Sequence, residues 1–167
     1  LALVPDDVVW RPSRVTLWPQ MIGAQTATVI RPPWSDDEVV TDSWGRTLVR
    51  FHWEEDPRGA VRTSAWVRTA HLWAGPSHGL MTLLREGMEV VVHFLGGDPD
   101  RPLIAGCVHD GANAPALLLP EQSSCTVFRS RSTPGGRGYN EVIVDDLDGA
   151  EVIRVRAQRD LEAHVRR

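Results

Sequence analysis

The chain has 167 residues, of which 42% are hydrophobic and 24% charged, with a formal net charge of −4. That is enough for one large domain or one domain with an appendage, and the acidic balance argues against a nucleic-acid binder, which shows a basic balance or face. No apolar run reaches the roughly 18 residues needed to cross a bilayer.

All 18 basic residues are Arg, the mark of GC-rich codon usage. The first residues, LALVPDD, are too short and lack the basic start of a signal peptide. The chain begins with Leu1 rather than Met, which is the expectation for a piece of a longer protein. Its two cysteines, Cys107 and Cys125, form no CxxC and have no His at zinc-finger spacing. Cys107 alternates with Leu103 and Ala105, the pattern of a small buried hydrophobe.

Residues 1–24 contain Pro12, Pro19 and no periodicity, and read as an extended linker. Strand patterns follow. TATVI (26–30) is β-branched, RPPWSDD (31–37) is a loop, and GRTLVRFHW (45–53) alternates Val49, Phe51 and Trp53 against Leu48, Arg50 and His52. EEDPRGAV (54–61) is a polar turn, and SAWVRTAH (64–71) alternates again. AGPSHG (74–79) is a second loop. EVVVHFL (89–95) and RPLIAGCVH (101–109) are the strongest strands. Between Gly79 and Gly87, LMTLLRE has a weak helical spacing but is too short for an independent helix. Five short strands without a convincing helix predict a small antiparallel barrel, and the five-stranded OB-fold is the commonest barrel of that size.

The corner between the last two strands holds Gly97, Asp98, Pro99, Asp100, Arg101 and Pro102. Gly96 and Gly97 supply positive φ, Pro99 fixes φ, and Pro102 can enter a strand without its N–H. The corner reads as a structural turn, with a binding loop as the alternative.

Residues 110–140 are rich in Gly, Pro, Ser and Ala and read as a linker over a surface. In the remainder, Val142 and Val144 alternate with polar residues, and after DLDG so do Ile153, Val155 and Ala157. A pair of such strands cannot bury its apolar face alone. It needs later repeats or other chains.

Sites were sought along the whole chain. No pair among the six histidines has HExxH spacing. His52 and His93 read as polar-face residues, and His71 and His78 flank a loop without a third ligand. Asp145 and Asp146 point to opposite faces if in a strand, and turn capping suits them better than acid–base work. Ser123 and Ser124 lack a GxSxG elbow, and PGGRGYN lacks the Lys of a phosphate loop. Trp53, Trp66 and Trp73 read as filling for a barrel core or a subunit interface. The expectation is a non-enzyme with no catalytic, cofactor or metal residues.

Taken together, DSWGRTLVRFHW (42–53), SAWVRTAHLWAG (64–75), EGMEVVVHFLGGDPDRPLIAG (86–106), GYNEVIVDD (138–146) and GAEVIRVRAQRDL (149–161) resemble the VgrG proteins of bacterial type VI secretion, which are similar to the tail-spike hubs of contractile phages. Departures include Ser64-Ala65-Trp66 where the family has Ser-Cys-Trp, Leu84-Arg85-Glu86-Gly87 where it has Pro-Arg-x-Gly, and an apolar Ile143 at a usually polar position.

The resemblance implies an all-β chain: a five-stranded OB-fold barrel followed by the start of a trimeric β-helical prism. It divides the chain into a linker from a missing base domain (1–24), an OB domain (25–110), a linker (111–137) and the start of the needle (138–167). It implies a homotrimer, with Val142, Val144, Ile153, Val155 and Ala157 packing in the trimer core. It also implies a tube protein (Hcp-like) at the base, a PAAR-type tip protein and effectors as partners. Assembly would occur in the bacterial cytoplasm before injection and transient membrane piercing. The rival reading is an OB-fold module for oligosaccharide or single-stranded nucleic acid.

Overall fold

A computed structural model describes residues 13–54 and 65–166, with residues 7, 9 and 11. Residues 55–64, which include most of the expected polar turn, lie outside the described residues.

Ten strands follow in chain order: β1 (Gln25–Val29), β2 (Thr47–Phe51), β3 (Trp66–Thr69), β4 (Trp73–Gly75), β5 (His78–Leu80), β6 (Glu89–Phe94), β7 (Pro102–Val108), β8 (Cys125–Arg129), β9 (Glu141–Asp145) and β10 (Val152–Arg156). Five of them close a barrel in the order β1-β2-β3-β7-β6. β8, β9 and β10 form a separate three-stranded sheet with β9 central, and β4 and β5 form a two-stranded ribbon.

The barrel closes because alternate residues of its short strands converge on one centre. Ala27 and Val29 of β1, Val49 of β2, Val67 of β3, Val90 and Val92 of β6 and Ile104 of β7 make that core, with Leu84 entering from the segment before β6. These are mostly β-branched residues, stiff at χ1 and suited to a pleated surface. Phe51, Met88 and Phe94 pack at its margin. In β2, Thr47, Leu48 and Val49 are all buried, so this strand is covered on both faces.

Four features differ from the sequence expectation. The barrel is not wholly antiparallel, since β3 runs parallel to β7 through Arg68–Leu103 and Thr69–Ile104. Closing five strands left β3 and β7 to meet in that sense, and no local pattern encodes it. The stretch AGPSHG is the turn of the β4–β5 ribbon rather than an open loop. The stretch read as a linker contains β8, which pairs along its length with β9. Its strand pattern is one five-residue run, CTVFR, between Ser-rich and Pro-rich flanks.

The fourth difference is Cys107, which is exposed rather than buried. Val91 pairs with Gly106 and Val92 with Ile104, so Ala105 is an extra residue in the ladder. Such a bulge breaks the alternation of faces. Ile104 takes the core position, and past the bulge Cys107 falls on the side of Val90, where it lines an open hollow with His71, Leu80 and Leu84. Trp53 and Trp73 are also not barrel core: Trp53 stacks on Phe51 at 4.3 Å between ring centroids with one side open, and Trp73 is exposed.

Ile104 has no solvent exposure and sits where β7 meets both β6 and β3. Ile104→Ala is expected to destabilise the barrel by about 2–5 kcal/mol, read as a lowered midpoint in urea unfolding followed by near-UV circular dichroism.

Candidate functional site

The corner at 94–102 is built as its residue types demand. Gly96 and Gly97 have φ of 68° and 75°, values that side chains beyond glycine rarely tolerate. The Asp98 N–H donates to Leu95 O at 3.3 Å, the Arg101 N–H to Asp98 O at 3.0 Å and the Leu95 N–H to Arg101 O at 3.0 Å. The Asp98 carboxylate accepts from the Asp100 N–H at 3.0 Å. Gly97 O in turn accepts from the Met21 N–H at 2.8 Å. The turn therefore fixes the β6–β7 hairpin and also anchors the extended chain that enters the barrel.

The C-terminal sheet has two unlike faces. Its register sets Phe128, Val142 and Val155 in one cross-strand row, and Thr126, Val144 and Ile153 in the next row on the same face. Nothing among the described residues covers this face well: Phe128 is 57% exposed, Val142 40%, Ile153 69% and Val155 60%. Val144 and Ala157 are half-buried. On the other face Ile143 is buried, between Val127 and Arg154 in register. The Tyr139 ring lies there between two guanidinium groups, with Arg129 Cζ 4.8 Å and Arg156 Cζ 3.9 Å from its centroid. Arg129 also pairs with Glu141 and donates to Ala116 O at 2.9 Å. This second face is thus closed by the chain itself.

Barrel and sheet are joined through one carboxylate. Glu38 Oε1 accepts from the Gly135 N–H at 2.7 Å, and Glu38 Oε2 accepts from Arg85 Nη1 at 3.0 Å. Arg85 Nη2 donates to Arg131 O at 2.6 Å, and the Glu86 N–H donates to Glu38 O at 2.9 Å. The Gly135 N–H, opposed in part by desolvation and aided by Arg131 and Arg85, holds the Glu38 carboxyl below its ordinary pKa. A neighbouring turn adds a second tie, in which Asn113 Nδ2 donates to Gly87 O at 3.0 Å and to the Asp110 carboxylate.

Sequence reasoning missed this joint. Glu38, Arg85 and Gly135 are far apart in the chain and belong to no repeat, and PGGRGYN was considered only as a phosphate loop. A single charged residue at a loop–strand boundary gives no periodic signal.

The remaining candidates stay apart or serve turns. The Asp145 carboxylate accepts from Ser124 Oγ at 2.7 Å and from the Leu147 N–H at 3.3 Å. The Ser124 hydroxyl, more than any other group, lowers the Asp145 pKa. His52 Nε2 lies 3.8 Å from Glu89 Oε1, and His93 is exposed. His71 and His78 line one hollow, but His78 Nδ1 is 3.0 Å from Pro76 O. Among the described residues no cluster of three His, Cys, Asp or Glu side chains is placed to hold a metal ion.

Because the pKa of Glu38 is depressed on folding, its contribution is complete above the ordinary glutamate value and is lost as pH falls through the folded value. The Gly135 amide resonance is expected to move with that titration, and Glu38→Gln is expected to abolish the movement while leaving the barrel core resonances in place.

Comparison with known proteins supplies a context for this geometry. Residues 35–109 match the family model described as the type VI secretion system/phage-baseplate injector OB domain. Residues 126–167 match that of the bacteriophage T4 gp5 C-terminal trimerisation domain. The chain is similar to the type VI secretion system spike protein VgrG4b of Pseudomonas aeruginosa, at 43% identity over 96% of this chain and 20% of that protein. It is similar to the spike protein VgrG3 of Vibrio cholerae, at 39% identity over 98% of this chain and 16% of that protein. It is also similar to the actin cross-linking toxin VgrG1 of V. cholerae, at 37% identity over 96% of this chain and 14% of that protein. The chain spans a fifth or less of the length of these curated relatives.

Proposed function

Since the chain belongs to the VgrG family of type VI secretion spike proteins, we propose that it forms the neck of a trimeric puncturing spike. In this reading the barrel is a collar, the C-terminal sheet is the first turn of the needle, and three copies wrap with their apolar faces inward. One observation carries it. The uncovered row Phe128–Val142–Val155 and its neighbour Val144–Ile153 fall in the region that matches a trimerisation domain.

The physical reason is the uncovered area. Each aliphatic side chain moved from water into a packed interior contributes about 1.5–3 kcal/mol, and a lone three-stranded sheet offers this face no partner layer. Three copies together supply one, and they also hide the sheet edges that would otherwise invite stray pairing. A sealed, stiff prism suits a part that transmits force.

In this reading the function of the segment is mechanical, in keeping with the spike names of VgrG4b and VgrG3, and the toxin name of VgrG1 belongs to a protein of which this chain spans 14%. The reading extends to a wider assembly, with a tube protein at the base, a PAAR-type tip and effectors carried outward, which the similarity to type VI spike proteins supports. It extends likewise to a route from cytoplasmic assembly to injection. The C-terminal sheet and the acidic net charge favour this reading over an OB-type binding module, for which a basic groove would be expected.

The test uses the full-length protein. Replacing Val144 and Val155 together with Asp would put charge into the proposed dry interior, where it is costly without a partner. The variant is expected to lose the trimer in native mass spectrometry while its barrel keeps its near-UV circular dichroism. A variant that remains as trimeric and as stable as the parent would mean that this face does not turn inward.

A further inference from the structure

We propose that the β4–β5 ribbon is a second contact between copies of this chain, covered by the same neighbour that covers the needle face. The proposal rests on the trimeric reading above and extends it from the needle onto the barrel.

The ribbon joins neither the barrel nor the C-terminal sheet, and all six of its strand residues are exposed. A two-stranded ribbon is marginal by itself in water. Its composition is not that of a solvated loop. From Thr69 to Leu84 the chain carries no Asp, Glu, Lys or Arg, although 24% of the whole sequence is charged. Trp73 pairs directly with Leu80, so the two share a face, and Met81 and Leu83 follow. Trp73 is 62% exposed and Met81 59%. Depletion of charge together with Trp and Met marks the centre of a protein–protein contact, and an apolar patch of this kind is seldom left in water.

The ribbon is also already shaped. Gly79 has φ of 145°, and a Cβ added there would lie 2.5 Å from Trp73 O. Trp73 and His78 meet edge-on at 5.5 Å between centroids, and His78 Nδ1 lies 3.0 Å from Pro76 O. A contact formed by a pre-shaped element loses little freedom on binding.

Continuity identifies the occupant as a second copy. Met81 lines a hollow with Trp73 on the ribbon. Met81 also lines, with Leu83 and Phe128, a groove of about 620 Å³ between barrel and sheet. Phe128 opens the row Phe128–Val142–Val155. One apolar band therefore runs from the ribbon to the needle face, and a neighbour seated on Phe128 meets Leu83 and Met81 in the same groove. Rotational assemblies bring unlike patches of successive copies together, so the ribbon of one copy meets a different surface of the next.

The test places a photo-activated benzophenone side chain at Met81 of the full-length assembled protein. The expected result is chain-to-chain cross-linked species on a denaturing gel after illumination. Cross-links confined within one chain, or none, would overturn the proposal. If the substituted protein fails to assemble, hydroxyl-radical oxidation of the unmodified assembly decides. Trp73 and Met81 should then oxidise at least about fivefold more slowly than their exposure in a single copy implies, because contact centres exclude water. Phe128 serves as the reference. If Phe128 is protected while Trp73 and Met81 react freely, this inference fails alone. If Phe128 reacts freely, the inward needle face fails and this inference with it.

Discussion

A three-stranded sheet has two faces, and the described residues of this chain supply cover for only one of them. On one side Ile143 is buried, and Tyr139 is gripped by Arg129 and Arg156. On the other, Phe128, Val142, Ile153 and Val155 face outward. The hydrophobic effect acts on that face wherever a matching surface exists. The same segment is the one that matches a trimerisation domain.

The barrel is different in kind. Its core of Ala27, Val29, Val49, Val67, Val90, Val92 and Ile104 is sealed within one chain. The barrel is nevertheless tied to the C-terminal segment at a defined joint. Glu38 provides that joint with hydrogen bonds to Arg85 and Gly135, and Arg85 extends it to Arg131 O. At the opposite connection, Gly97 O holds Met21, so the entering chain is fixed to the same corner that splays β6 and β7. The barrel is thus tied to its neighbouring segments at both connections, by a backbone hydrogen bond at Gly97 and by the Glu38 and Arg85 side chains at the other.

Among the described residues no reacting centre is assembled from the candidate groups. The candidate chemical groups resolve into structural duties: Asp145 receives Ser124 and caps a turn, Asp98 receives the Asp100 N–H, and His78 sits beside the Pro76 carbonyl. Exposed apolar side chains run from Trp73 and Met81 to Phe128 and Val155. For a mechanical part, the placement of such surfaces is the informative feature.

The sequence by itself determined the barrel strands, the corner and the apolar register of the last two strands. Each of these is a local matter: β-branched alternation writes β1, β2, β6 and β7, and paired glycines write a turn at positive φ. Only the tertiary structure decided the rest. The parallel β3–β7 seam, the Ala105 bulge that shifts the β6–β7 register, and the recruitment of β8 from a Pro-rich stretch arise from closure and pairing between distant segments. The Glu38 joint belongs with them. It brings together residues nearly a hundred positions apart in the chain, from Glu38 to Gly135, and a hydrogen bond across that span leaves no period in the sequence, because only the folded path places donor beside acceptor.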